Sequence, residues 1–148
     1  GSAVLCSNFV KEAVLMAEME GFRKLLFVGH IGKLIKVSAG VKNTHSKYGD
    51  RRMEIMADCL PGTLDEQVRN EWTDRIFGCN TTEEALEYLK SWGICDQVMH
   101  TAVSRMQHYM KQWAGGNCDV QVVTFSTVYG ILGKTSDSDR MIERWRQS

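Results

Sequence analysis

The order strand, helix, strand, glycine turn, helix at the start of the chain limits its fold more than any other feature. Ala3-Val4-Leu5-Cys6 is a short apolar run and predicts a buried strand. Ser7-Asn8 follows with helix-capping side chains, and Val10, Ala13, Val14 and Ala17 then recur at helical spacing up to Gly21. Lys24-Leu25-Leu26-Phe27-Val28 predicts a second buried strand, which runs directly into Gly29-His30-Ile31-Gly32-Lys33. Two strands joined by one helix are expected to lie parallel and side by side, with a right-handed crossover.

The rest of the chain reads mostly as helix. Met53, Met56, Ala57 and Leu60 mark one helix, stopped by Pro61-Gly62. Thr63-Leu64-Asp65-Glu66 and Thr81-Thr82-Glu83-Glu84 read as capping boxes that open two more. Met99, Ala102, Val103, Met106, Tyr109, Met110 and Trp113 form a long stripe ended by Gly115-Gly116. Its fit to one helix face makes it core rather than a cofactor box. Residues 120–125 predict a last strand, 126–138 read as loop around Gly130 and Gly133, and 138–146 as a surface helix. The expected fold is α/β: a small, mostly parallel sheet of three or four strands, helices on both faces and a large helical insertion. Gly1-Ser2 reads as an expression-tag remnant, and residues 3–148 as a single domain cut from a longer protein.

Composition removes several function classes. Lys plus Arg and Asp plus Glu each number 18 in 148 residues, which argues against a general nucleic-acid binder. The five cysteines are dispersed and form no CxxC, as expected of free thiols in a reducing cytosol. None shares metal-ligand spacing with a histidine, so no metal site is expected. No apolar stretch approaches the roughly 18 residues that span a membrane.

Chemistry is expected where the strands end, because ligands of open parallel sheets gather at the carboxyl ends. Those ends are Cys6-Ser7-Asn8 and Gly29-His30-Ile31-Gly32-Lys33. The second resembles a phosphate loop, with free backbone N–H groups at a helix start. It is no Walker A sequence: two residues, not four, separate the glycines, and Leu34 follows the lysine. Nucleotide hydrolysis is therefore not expected, and a plain tight turn with an exposed lysine is the equally weighted alternative. Downstream, Lys33, Lys36, Lys42, Lys47, Arg51 and Arg52 surround the polar run Asn43-Thr44-His45-Ser46, a mixture suited to carboxylates or phosphates. His45 reads as general acid/base, ligand contact or structural histidine; His30, at a strand end, is the better contact by position. His100 and His108 read as surface residues.

These segments carry a resemblance. Gly29-His30-Ile31-Gly32-Lys33-Leu34-Ile35-Lys36, Ala39-Gly40, Asn43-Thr44-His45-Ser46, then Asp50, Arg52, Met53 and Glu54 resemble the signature of the CbiD family. Cys6-Ser7-Asn8-Phe9 and Thr82-Glu83-Glu84-Ala85-Leu86 are similar to further family segments. The family comprises cobalt-precorrin-5B C1-methyltransferases of anaerobic cobalamin biosynthesis. The resemblance implies transfer of a methyl group from S-adenosylmethionine to C1 of a tetrapyrrole, giving cobalt-precorrin-6A, with cobalt present only as part of the substrate. It implies a cytoplasmic two-domain enzyme, of which this chain is the Rossmann-like C-terminal half and the N-terminal domain the partner. Activity then belongs to the full-length protein rather than to this stretch alone. The implied substrate contacts are Ser7, Asn8, Gly29, His30, Gly32, Lys33, Lys36, Asn43, Thr44, His45, Ser46 and Arg52, with His45 the one catalytic candidate.

Physical reading and resemblance agree on the ligand, since such a tetrapyrrole is ringed by acetate and propionate carboxylates. Methyl transfer from a sulfonium is mainly a positioning problem, so many binding side chains and few catalytic ones are expected. Two other readings stand beside it: a non-enzymatic module holding an anion or nucleotide, and a domain-docking surface. Assembly into a homo-oligomer is left open.

Overall fold

The computed structural model describes residues 2–6, 9–42 and 51–147. The expected βαβ start is present as β1 (Ser2–Leu5), α1 (Val10–Met19) and β2 (Lys24–His30), with β1 and β2 parallel and Ala3 opposite Leu25. The apolar run of β2 is buried on both faces of the sheet, Leu25, Leu26 and Phe27 all being inaccessible. Helix α1 stops because Gly21 takes a left-handed φ of 86°. There its N–H reaches the Glu18 carbonyl and the Phe22 N–H the Ala17 carbonyl, so two orphan carbonyls are satisfied.

The large helical insertion follows. It comprises α2 (Ile31–Leu34), a 3₁₀ segment (Ile35–Ala39), α3 (Arg52–Asp58), α4 (Glu66–Phe77), α5 (Thr82–Ser91) and α6 (Cys95–Trp113). Thr81 caps α5, accepting from the Glu84 N–H at 3.2 Å, as its sequence predicts. The other expected box is displaced. The Leu64 N–H bonds the Pro61 carbonyl, so Thr63 lies in a turn, and Asp65 caps α4 by accepting from the Gln67 N–H at 3.2 Å. Trp72 of α4 stacks on Trp92 at the end of α5, with ring centroids 4.4 Å apart.

The chain returns to the sheet as β3 (Asp119–Ser126), β4 (Gly130–Lys134) and a final helix α7 (Ser138–Gln147). The strand order is β1-β2-β3-β4. The first three strands are parallel and β4 is antiparallel to β3. Strand β4 corrects the expectation of a loop over 126–138. Its two glycines imitate turn punctuation, but Gly133 is a close approach to α6. A Cβ there would meet the Cβ and carbonyl oxygen of Met99 at 3.2 Å.

Residues alternate between the two sheet faces. Leu25, Phe27, Val120 and Val122 join one large core with α1, α6 and the rest of the insertion. Leu26 and Val123 face the other way and are covered by Met141 of α7. Of the methionine stripe, Met99, Ala102, Val103, Met106 and Met110 are fully buried, as expected. Tyr109 and Trp113 are half-buried at its margin. The five cysteines are free thiols, and only Cys6 is exposed. Burial pushes the Cys59 thiol up, so it stays a neutral packing group.

Candidate functional site

The carboxyl ends of β1, β2 and β3 meet in one hollow of about 340 Å³, lined by Cys6, Gly29, His30, Lys33 and Phe125 among others. The sequence brings them together because β1 and β3 both pair with β2, in register up to His30 opposite Phe125. Gly29 lets β2 reach α2 without a gap: a Cβ on it would lie 2.7 Å from the Leu34 Cγ. Its carbonyl is fixed from the far side by the buried Thr124 hydroxyl, which donates to it at 3.0 Å.

One amide of the glycine turn is engaged within the turn itself. His30 ends β2 and caps α2, and its Nδ1 accepts the Gly32 N–H at 3.0 Å. The amide expected to be free is therefore satisfied internally. Helix α2 has only four residues before it tightens into the 3₁₀ segment, so few peptide dipoles are aligned behind that amide. The turn is thus tight and internally bonded at Gly32.

His30 is better described as a strut than as an open ligand. Since Nδ1 accepts, the ring proton sits on Nε2, which faces Glu83 Oε1 at 3.3 Å. Glu83 in turn accepts the Thr82 hydroxyl at 3.2 Å, and the His30 ring meets Phe125 edge-on, centroids 5.7 Å apart. Both partners of the His30–Glu83 pair are about 30% exposed, 30% and 31%. A pair at that exposure contributes roughly 0–1 kcal/mol. Its effect is to tie the α5 start to the end of β2 and to hold the imidazole in one tautomer.

The other predicted residues distribute unevenly. Lys33 is exposed and lines the hollow. Lys36, expected to present its ammonium at the rim, is instead only 6% exposed within the 3₁₀ segment. Its neighbours Ile35, Val37 and Ser38 are buried with it. Arg52 opens α3, half-buried, and does not line the hollow. Ser7, Asn8, Asn43, Thr44, His45 and Ser46 lie outside the described residues. Sequence reasoning missed Glu83 and Phe125 as rim residues. Glu83 lies in a capping box and Phe125 in a strand, and each position already had a sufficient structural reason.

Comparison with known proteins now bears on this site. The family described as CbiD, C-terminal domain matches residues 43–136. The chain belongs to the CbiD family. The match begins at the Asn43-Thr44-His45-Ser46 run and extends through β4, so it includes the Glu83 end of the rim but not the Gly29 turn. Proteins named cobalt-precorrin-5B C(1)-methyltransferase cover that turn as well. The one from Listeria monocytogenes serotype 4a is 37% identical over 99% of this chain, and the one from Clostridioides difficile is 37% identical over 95%. A third, from Fusobacterium nucleatum, is 33% identical over 94%. The chain spans 39%, 34% and 35% of the length of these three CbiD relatives, respectively. No solved structure matches the chain.

Proposed function

We propose that this chain is the C-terminal unit of a cytoplasmic, S-adenosylmethionine-dependent methyltransferase. The full-length protein methylates C1 of cobalt-precorrin-5B, giving cobalt-precorrin-6A in anaerobic cobalamin biosynthesis. The observation that carries this reading is 37% identity, over 99% of the chain, to a protein of that name. The short span relative to such proteins supports a second, N-terminal domain as the partner.

The geometry supports a positioning role. Three parallel strands in sequential order, with α1 and α6 on one face, support the Rossmann-like reading of this unit. The hollow at its carboxyl rim offers Lys33 for a carboxylate and the Phe125 ring for a flat apolar surface. S-adenosylmethionine and the tetrapyrrole each carry groups of both kinds, so the rim fits either one. When bound, the sulfonium supplies the methyl group; the residues of this chain hold and orient. His30, engaged at both ring nitrogens, keeps the rim in shape and moves no proton. The internal bond of the Gly32 amide weighs against the anion-binding alternative.

In full-length protein, Lys33→Ala is expected to weaken cobalt-precorrin-5B binding. Loss of one charge-assisted contact costs about 1.5–3 kcal/mol, or roughly ten- to hundred-fold in Kd. Absorbance titration of the corrinoid measures it, and an unchanged Kd removes the rim from the substrate site.

A further inference from the structure

A second, roomier concavity among the described residues lies apart from the rim. It is a groove of about 650 Å³ along α6, and it shares no lining residue with the rim hollow. One wall is a stripe of α6 on which His100, Ser104 and His108 recur every four residues, with Arg105 beside them. The facing wall comes from the 3₁₀ segment and α3, including Ile55 and Asp58. From the sequence, this side of the helix is merely its solvated face.

Two features make it a prepared surface. Arg105 is anchored: Nη1 donates to the Asp58 carbonyl at 3.3 Å and to the Cys59 sulfur at 3.7 Å. Such anchoring fixes the plane of the guanidinium, and its other N–H groups take no partner among the described residues. His108 is also held, its Nε2 lying 3.3 Å from the Gln112 amide nitrogen and its ring against Tyr109. An amide nitrogen donates, so the proton of His108 sits on Nδ1. The α6 wall thus carries fixed donors on Arg105 and His108, and Asp58 is the sole carboxylate among the described lining residues.

Size and spacing select the ligand. His100 and His108 lie eight positions apart, about 12 Å along the helix axis. A single small anion cannot bridge that span, whereas a macrocycle with carboxylates around its edge can. The volume also falls within the roughly 300–1,000 Å³ of small-molecule sites. We propose that the α6 groove binds carboxylate side arms of an anionic tetrapyrrole, through Arg105, His100 and His108. This rests on the methyltransferase reading and adds a recognition surface to it, apart from the rim.

The test is fluorescence titration of this chain with uroporphyrin, a cobalt-free tetrapyrrole ringed by acetate and propionate arms. Ser104 is exposed on α6, so its substitution is expected to leave the fold intact, which circular dichroism verifies. Ser104→Asp is expected to weaken binding at least about tenfold by placing a like charge on the donor wall. Ser104→Asn, neutral and similar in shape, is expected to stay within about twofold, and His100→Glu to repeat the loss. Binding by the unsubstituted chain that neither acidic variant weakens overturns the groove while leaving the methyltransferase reading in place. Equal loss in Ser104→Asn and Ser104→Asp overturns the charge argument and the groove with it. No uroporphyrin binding by the unsubstituted chain overturns both the groove and the assignment of tetrapyrrole contacts to this chain.

Discussion

Met106→Ala is expected to lower the unfolding free energy by about 2–5 kcal/mol. Met106 is fully buried on α6, in the large core that joins this helix to the sheet and to the rest of the insertion. Truncation removes its transfer free energy and leaves a cavity, and the cost depends on how far the neighbours collapse. Met99 and Met110, also fully buried on α6, are flexible side chains that can fill part of the space, which favours the lower half of that range. A urea titration is expected to show a lower midpoint at unchanged m-value. A loss below about 0.5 kcal/mol contradicts the assignment of the methionine stripe to the core.

Gly29→Ala is expected to cost about 1–3 kcal/mol by overpacking. The added Cβ would stand 2.7 Å from the Leu34 Cγ and 2.8 Å from its Cδ1, closer than carbon atoms tolerate. Leu34 is 2% exposed and packed in the core, and its direction of retreat is the rim hollow that it also lines, which favours the lower half of that range. Either Leu34 leaves its rotamer or the β2–α2 turn opens, and the second response pulls His30 away from Glu83. The same denaturant titration reads the stability. A fully stable Gly29→Ala protein contradicts the close approach on which the rim is built.

The start of the fold was legible in the residues, and parts of the rest were not, for identifiable reasons. Continuous apolar runs at β1 and β2 with one helix between them admit little but a parallel pair, and the structure has it. Strand β4 was hidden because Gly130 and Gly133 carry the composition of a turn. Gly133 is there to let the strand approach α6, a tertiary reason that local sequence does not display. The burial of Lys36 was not legible because a lysine in a short polar-apolar mixture is usually solvated, whereas this 3₁₀ segment is buried on successive residues. The candidate site divides similarly. The meeting of Cys6 with the Gly29 turn followed from the parallel pairing of β1 with β2. The His30–Glu83 contact joins residues far apart in sequence, each with a complete local role as a strand end or helix cap. The α6 groove was invisible because its histidines sit on the side of the helix opposite the apolar stripe, where charge normally means solvent.

The measurement that bears most directly on the account is methyl transfer to cobalt-precorrin-5B from S-adenosylmethionine labelled in its methyl group. The full-length protein and this chain alone are assayed side by side, with the product located by mass spectrometry and carbon NMR. The account predicts a label at C1 with the full-length protein and none with the chain alone, whose walls then await their N-terminal partner. Turnover by the chain alone, or label at a carbon other than C1 with the full-length protein, contradicts it.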